Sequence, residues 1–206
     1  MPSTSCRAEL ALQRCYSNTI NWNPVEDRVF MSFPDPGAVV EIDRASGEMI
    51  AHFGNQPGAW DFAPPLASAP AKWRFGFQHF PKISPTGTLM VSSHMPGYEA
   101  STTPPPPNQP AFIEFAIDRE NETLTEVWRY AEGPEWPRSR GMAIRLANGN
   151  TLGNYGSAGV IREITPDNQT VFHVKFDIAG GNDAYNKLVG NTFFIDDLYA
   201  LDAGPR

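Results

Sequence analysis

The sequence predicts an all-β fold, a partial β-propeller of about three four-stranded blades with extra strand material. Twenty prolines and 17 glycines are scattered between apolar runs of a 206-residue chain, too many breakers for a helical protein of this length. The runs are short, rich in Val, Ile, Phe and Thr, and end at turn pairs such as Pro36-Gly37, Ser46-Gly47, Thr86-Gly87 and Asn148-Gly149. A four-strand order also occurs three times, with third-strand cores that are alike in type: Val40-Glu41-Ile42-Asp43, Glu114-Phe115-Ala116-Ile117-Asp118 and Arg162-Glu163-Ile164-Thr165. A β-sandwich competes with this reading, because it also uses short strands with regular turn signals.

Taken in order, residues 1–15 form an N-terminal segment and residues 16–206 a single propeller-like domain. Ser5 to Arg14 carries the helix formers Ala8, Leu10, Ala11 and Leu12, enough for a short helix that would not be stable alone. Thr19 to Trp22, Arg28 to Phe33, Ala38 to Asp43 and Glu48 to Phe53 make the first meander. Gln78 to Ile83, Thr88 to Ser93, Phe112 to Asp118 and Leu124 to Tyr130 make the second. Gly141 to Leu146, Asn150 to Tyr155, Val160 to Thr165 and Thr170 to Phe176 make the third. Asn55 to Lys72 and Pro96 to Pro110 read as irregular connections, the latter stiffened by Pro104-Pro105-Pro106-Pro107. Leu188 to Leu201 supplies final strand material.

Charge and cysteine content narrow the partners. A formal net charge of −7 argues against a nucleic-acid or anionic-membrane surface, so any anion site must be local. No apolar run approaches the roughly 18 residues of a membrane-spanning helix. The first residues do not read as an export signal, since Arg7, Glu9, Gln13 and Arg14 interrupt the apolar stretch. Cys6 and Cys15 lack zinc-ligand spacing and are equally compatible with a disulfide or two free thiols. No phosphate loop, dinucleotide fingerprint or serine elbow occurs, and no cofactor or metal is expected.

The residues that could carry chemistry gather around Gln78-His79, at the start of an inner strand of the second blade. An imidazole there is either a satisfied strand histidine or a group lining the ligand channel. Arg138, Arg140 and Arg145 could bring positive charge to an anion, and Arg140, just before the inner strand of the third blade, is the best placed. Asp196-Asp197 reads as a polar turn.

Several pieces together resemble the aryl-sulfate sulfotransferase family of β-propellers: Asn18-Thr19-Ile20-Asn21-Trp22 with Met31-Ser32, Glu41 to Glu48, Gln78-His79, and Gly141 to Leu152. The likeness runs from about Tyr16 to Tyr199 and corresponds to the C-terminal portion of longer, six-bladed members. It implies sulfuryl transfer from an aryl sulfate ester to a phenol through a sulfated histidine, with His79 as nucleophile and Tyr16, Asn18, Gln78 and Arg140 around the substrate. It also implies a periplasmic or secreted protein. Family members show His-x-Asn and Ser-x-Arg where this chain has Tyr16-Ser17-Asn18 and Ser32-Phe33-Pro34. Each charge-stabilising donor lost costs about 100- to 1000-fold in rate. The alternative is a non-catalytic propeller module that binds a ligand or partner protein. Three blades also leave two apolar blade faces open, from which self-association, as by two copies in a six-bladed ring, or poor solubility is expected unless the loops Asn55 to Lys72 and Pro96 to Pro110 cap those faces.

Overall fold

The computed structural model describes residues 16–34, 37–64, 76–93, 111–131, 140–176, 189–192 and 195. Four short strands, β1 (Thr19–Asn23), β2 (Arg28–Phe33), β3 (Ala38–Asp43) and β4 (Met49–Gly54), follow one another as an antiparallel meander, the first blade. A two-residue strand, β5 (Asp61–Phe62), comes next. The second blade is built from β6 (His79–Ile83), β7 (Leu89–Ser93), β8 (Ala111–Asp118) and β9 (Thr123–Tyr130). The third is β10 (Met142–Arg145), β11 (Thr151–Asn154), β12 (Val160–Ile164) and β13 (Thr170–Lys175).

Each blade closes its third strand with the same device. Asp43 Oδ1 accepts from the Ser46 N–H, Asp118 Oδ1 from the Glu120 and Asn121 N–H groups, and Thr165 Oγ1 from the Gln169 N–H. These are the last residues of the three aligned third-strand cores, so the likeness in sequence is a repeated side-chain-to-backbone turn.

The blades pack as consecutive members of a propeller arc. β6 lies between β1 and β10, so these three first strands line the inner side. β1 and β6 run in the same direction, since Asn18 Nδ2 donates to the Gln78 carbonyl and Asn21 Nδ2 to the Pro81 carbonyl. One apolar cluster joins blades 1 and 2 through Phe30, Val39, Phe53, Leu89, Ile113 and Phe115; another joins blades 2 and 3 through Met90, Phe112, Tyr130, Tyr155, Val160 and Ile164. At about 25 cal/mol per Å² of apolar surface removed from water, these clusters are the main force holding the arc together.

The sequence pattern reads residues 55–72 as irregular, whereas β5 adds a parallel strand to the outer edge of β9. The Asp61 N–H donates to the Glu122 carbonyl, the Ala63 N–H donates to the Leu124 carbonyl, and Phe62 is buried edge-on against Phe115 at 5.7 Å. Two residues paired with a strand far along the chain leave no periodicity to read. The short 3₁₀ turn at Gly156–Ala158 is a second feature the pattern does not show. The expected helix at Ser5 to Arg14, Cys6, Cys15, the four-proline run, Arg138 and Asp196-Asp197 lie outside the described residues. Among the described residues no helix is long and apolar enough to cross a membrane.

Candidate functional site

The arc has two mouths, one at the starts of the inner strands and one at their ends. The first is built around Gln78 and His79. Gln78 is fully buried: its Nε2 donates to the Phe33 carbonyl at 2.9 Å and to the Ala38 carbonyl at 2.8 Å. Its own carbonyl accepts from Asn18 Nδ2 and Ser32 Oγ. Both ends of residue 78 are therefore bolted to blade 1, which fixes where the next side chain leaves the backbone. Asn18 Oδ1 and Gln78 Oε1 are left buried without a donor.

His79 sits between two strained residues. Phe77 has φ 45° and Phe80 has φ 52°, a left-handed conformation that costs a bulky residue about 1–3 kcal/mol and persists only where the surroundings impose it. The Phe80 strain coincides with a bulge in the β6–β7 pairing between His79 and Lys82. The Phe80 N–H donates to Thr19 Oγ1 instead of joining the ladder. Among the described residues the other left-handed non-glycines, Asp27, Glu122 and Asn168, sit in turns, except for Arg140.

Arg140, at φ 66°, precedes the inner strand of blade 3 as Phe77 precedes that of blade 2. It is exposed, forms no ion pair among the described residues, and stands close enough for its charge to act on His79. Burial, and secondarily this guanidinium, push the His79 imidazole down from 6.5 to about 4. His79 is thus neutral at neutral pH, beside a cation. Tyr16 is 57% exposed at the margin of blade 1. The structure therefore brings Asn18, Gln78 and His79 into one bonded group and places Arg140 within electrostatic reach, while Tyr16 makes no hydrogen bond among the described residues.

The second mouth holds a cleft of about 270 Å³ lined by Asn23, Lys82, Ile83, Met90, Ile144 and Arg145, among others. Arg145 is committed there: it pairs with the buried Glu114, donates to the Gly149 carbonyl and lies over the Trp128 ring at 4.7 Å. Its expected contribution to an anion site gives way to this internal pairing. Glu114, in the middle of an apolar strand, is the residue that sequence reasoning passed over, and a lone carboxylate in the run Ala111-Phe112-Ile113-Glu114-Phe115 is the signal for it. Among the described residues no group of three or more His, Cys, Asp or Glu gathers as a metal site.

No family model matches the chain, and no curated protein does. Solved structures do align with it. A protein of unknown function from Bacteroides caccae matches over 81% of this chain and 48% of its own, with 14% identity and a TM-score of 0.46. Virginiamycin B lyase from Staphylococcus aureus matches over 79% and 42%, with 12% identity and a TM-score of 0.44. The C-terminal WD40 domain of Sif2 matches over 78% and 46%, with 11% identity and a TM-score of 0.34. The chain spans less than half the length of each, and the propeller architecture rests on its own strand order.

Proposed function

We propose that the chain carries out sulfuryl transfer from an aryl sulfate ester to a phenolic acceptor, with His79 as the covalent carrier. One observation carries the reading: a neutral, largely buried imidazole held between two left-handed phenylalanines beside the charge of Arg140, which has no ion-pair partner among the described residues. The imidazole nitrogen attacks sulfur, the bond from sulfur to the phenolic oxygen breaks, and the departing phenolate takes up a proton. The acceptor phenol then gives up its proton as its oxygen takes the sulfuryl group and frees His79. Arg140 supplies positive charge to the sulfuryl oxygens, as cations do in phosphoryl transfer.

A second reading, ligand binding without turnover, draws support from the same geometry. The amide nitrogens of Asn18 and Gln78 are spent on backbone carbonyls, which leaves Arg140 as the charged donor near His79 among the described residues. Purified chain incubated with 4-nitrophenyl sulfate and phenol separates the two. Transfer releases 4-nitrophenolate and leaves a sulfuryl group on the His79 peptide, detected by mass spectrometry; His79→Ala abolishes both, and Arg140→Met lowers the rate about 100-fold. Saturable binding with no labelled peptide supports the second reading, and labelling undiminished in His79→Ala overturns the first.

A further inference from the structure

We infer that residues 189–192 are the lead-in of a fourth inner strand, seated on blade 3 as residues 77–80 are seated on blade 1, and that in this seat they exclude a second copy's blade 1. Three matched pairs of hydrogen bonds carry the inference. The Phe77 N–H donates to the Pro34 carbonyl, and the Val189 N–H to the Gly156 carbonyl. The Ser32 side chain donates to the Gln78 carbonyl, and the Asn154 side chain to the Gly190 carbonyl. The Phe80 N–H donates to the Thr19 side chain, and the Thr192 N–H to the Met142 sulfur.

The spacing is the same on both sides of each set. Residues 77, 78 and 80 match 189, 190 and 192; Ser32 and Pro34 match Asn154 and Gly156; Thr19 and Met142 both open an inner strand and pair with Ser32 and Asn154 respectively. Three contacts that keep both spacings are a repeated docking mode, and a chain wandering over the surface would not reproduce it. Asn191 accordingly occupies the place of His79.

The consequence concerns the open face at the other end of the arc. Along β1, Thr19, Asn21 and Asn23 alternate with Ile20 and Trp22, which are 62% and 59% exposed on the face turned away from blade 2. A second copy packing blade 1 against blade 3 in the manner of the existing junctions would bring its own Ser17, Asn18 and Ile20 to the seat. Those residues are the blade 1 counterparts of Phe77, Gln78 and Phe80, and the seat is already filled by Val189, Gly190 and Thr192. Closure of two copies into a ring therefore requires residues 189–192 to leave.

The test uses the full chain with Val189→Pro and Thr192→Pro together, which removes both N–H donors and leaves blade 3 untouched. Sedimentation velocity at micromolar concentration should show self-association at least about tenfold tighter than in the parent chain, because the competing segment has lost its hold. Adding Trp22→Glu to the double variant should return it to monomer. Equal association in parent and double variant overturns the inference, and so does association that survives Trp22→Glu, which also covers clumping of a misfolded variant. In the parent chain, hydrogen exchange should be slow at Val189 and Thr192 and fast at Asn191; fast exchange at all three overturns the docking itself.

Discussion

The junction between blades 1 and 2 and the junction between blades 2 and 3 solve the same packing problem with different chemistry. At the first, side-chain amides and hydroxyls reach across to backbone carbonyls: Asn18 and Ser32 to Gln78, Asn21 to Pro81, Gln78 to Phe33 and Ala38. At the second, aromatic rings and guanidinium groups interlock: Phe112 on Tyr155 at 4.8 Å, Arg162 donating to the Tyr130 hydroxyl, and Arg145 over Trp128 while paired with Glu114. Bonds to carbonyls fix the backbone path, whereas stacked side chains fix blade separation. The candidate nucleophile lies at the junction where the backbone is held, which suits a group that must present one nitrogen in one direction.

The most damaging way to break the comparison is to strip the second junction of its charge pair. Glu114→Ala leaves the Arg145 guanidinium buried against Trp128 without its carboxylate, and should cost about 3–5 kcal/mol in urea unfolding. The double replacement Glu114→Met with Arg145→Met should recover most of that loss, because burying two apolar side chains avoids desolvating two ions. A double variant as unstable as the single one would show that the junction depends on the ion pair itself.

Acid titration sharpens the first junction. The folded His79 pKa is depressed, so the unfolded chain takes up a proton between about 6.5 and about 4 that the folded chain refuses. Stability from this group is complete above pH 6.5, falls as the pH is lowered, and is fully lost below about 4. The shift corresponds to a loss of roughly 3 kcal/mol. His79→Gln should flatten that part of the profile, leaving the weaker dependence of His52, whose pKa burial also lowers. A profile unchanged in His79→Gln would mean that His79 is solvated. On the proposed mechanism, transfer should likewise persist below pH 6.5 and decline only toward pH 4.

The smallest expected effect tests the clasp directly. Gln78→Leu keeps the volume but removes the donor shared by the Phe33 and Ala38 carbonyls, at a cost of about 2 kcal/mol. If the clasp aims His79, the substitution should also raise the His79 pKa measured by NMR titration, as the ring escapes burial. Lost stability with an unmoved pKa would reduce Gln78 to a fastener between blades.

Strand identity was legible in this sequence because each β run is bracketed by its own turn chemistry. Asp43, Asp118 and Thr165 mark the ends of third strands, and Gly87 and Gly149 stand in the turns after β6 and β10, so local residues alone set twelve of the thirteen strands among the described residues to within a residue or so. The exception, β5, exists only because β9 offers it an edge. The site divides along the same line. A histidine at the head of an inner strand and an arginine before the next one can be read in order along the chain. That Phe77 and Phe80 are bent left-handed, that Gln78 is spent holding blade 1, that Arg145 belongs to Glu114, and that residues 189–192 copy residues 77–80 depend on which distant groups meet. Hydrogen-bond and charge partners across blades are chosen by the packing of whole sheets, and no window of sequence contains both members of such a pair.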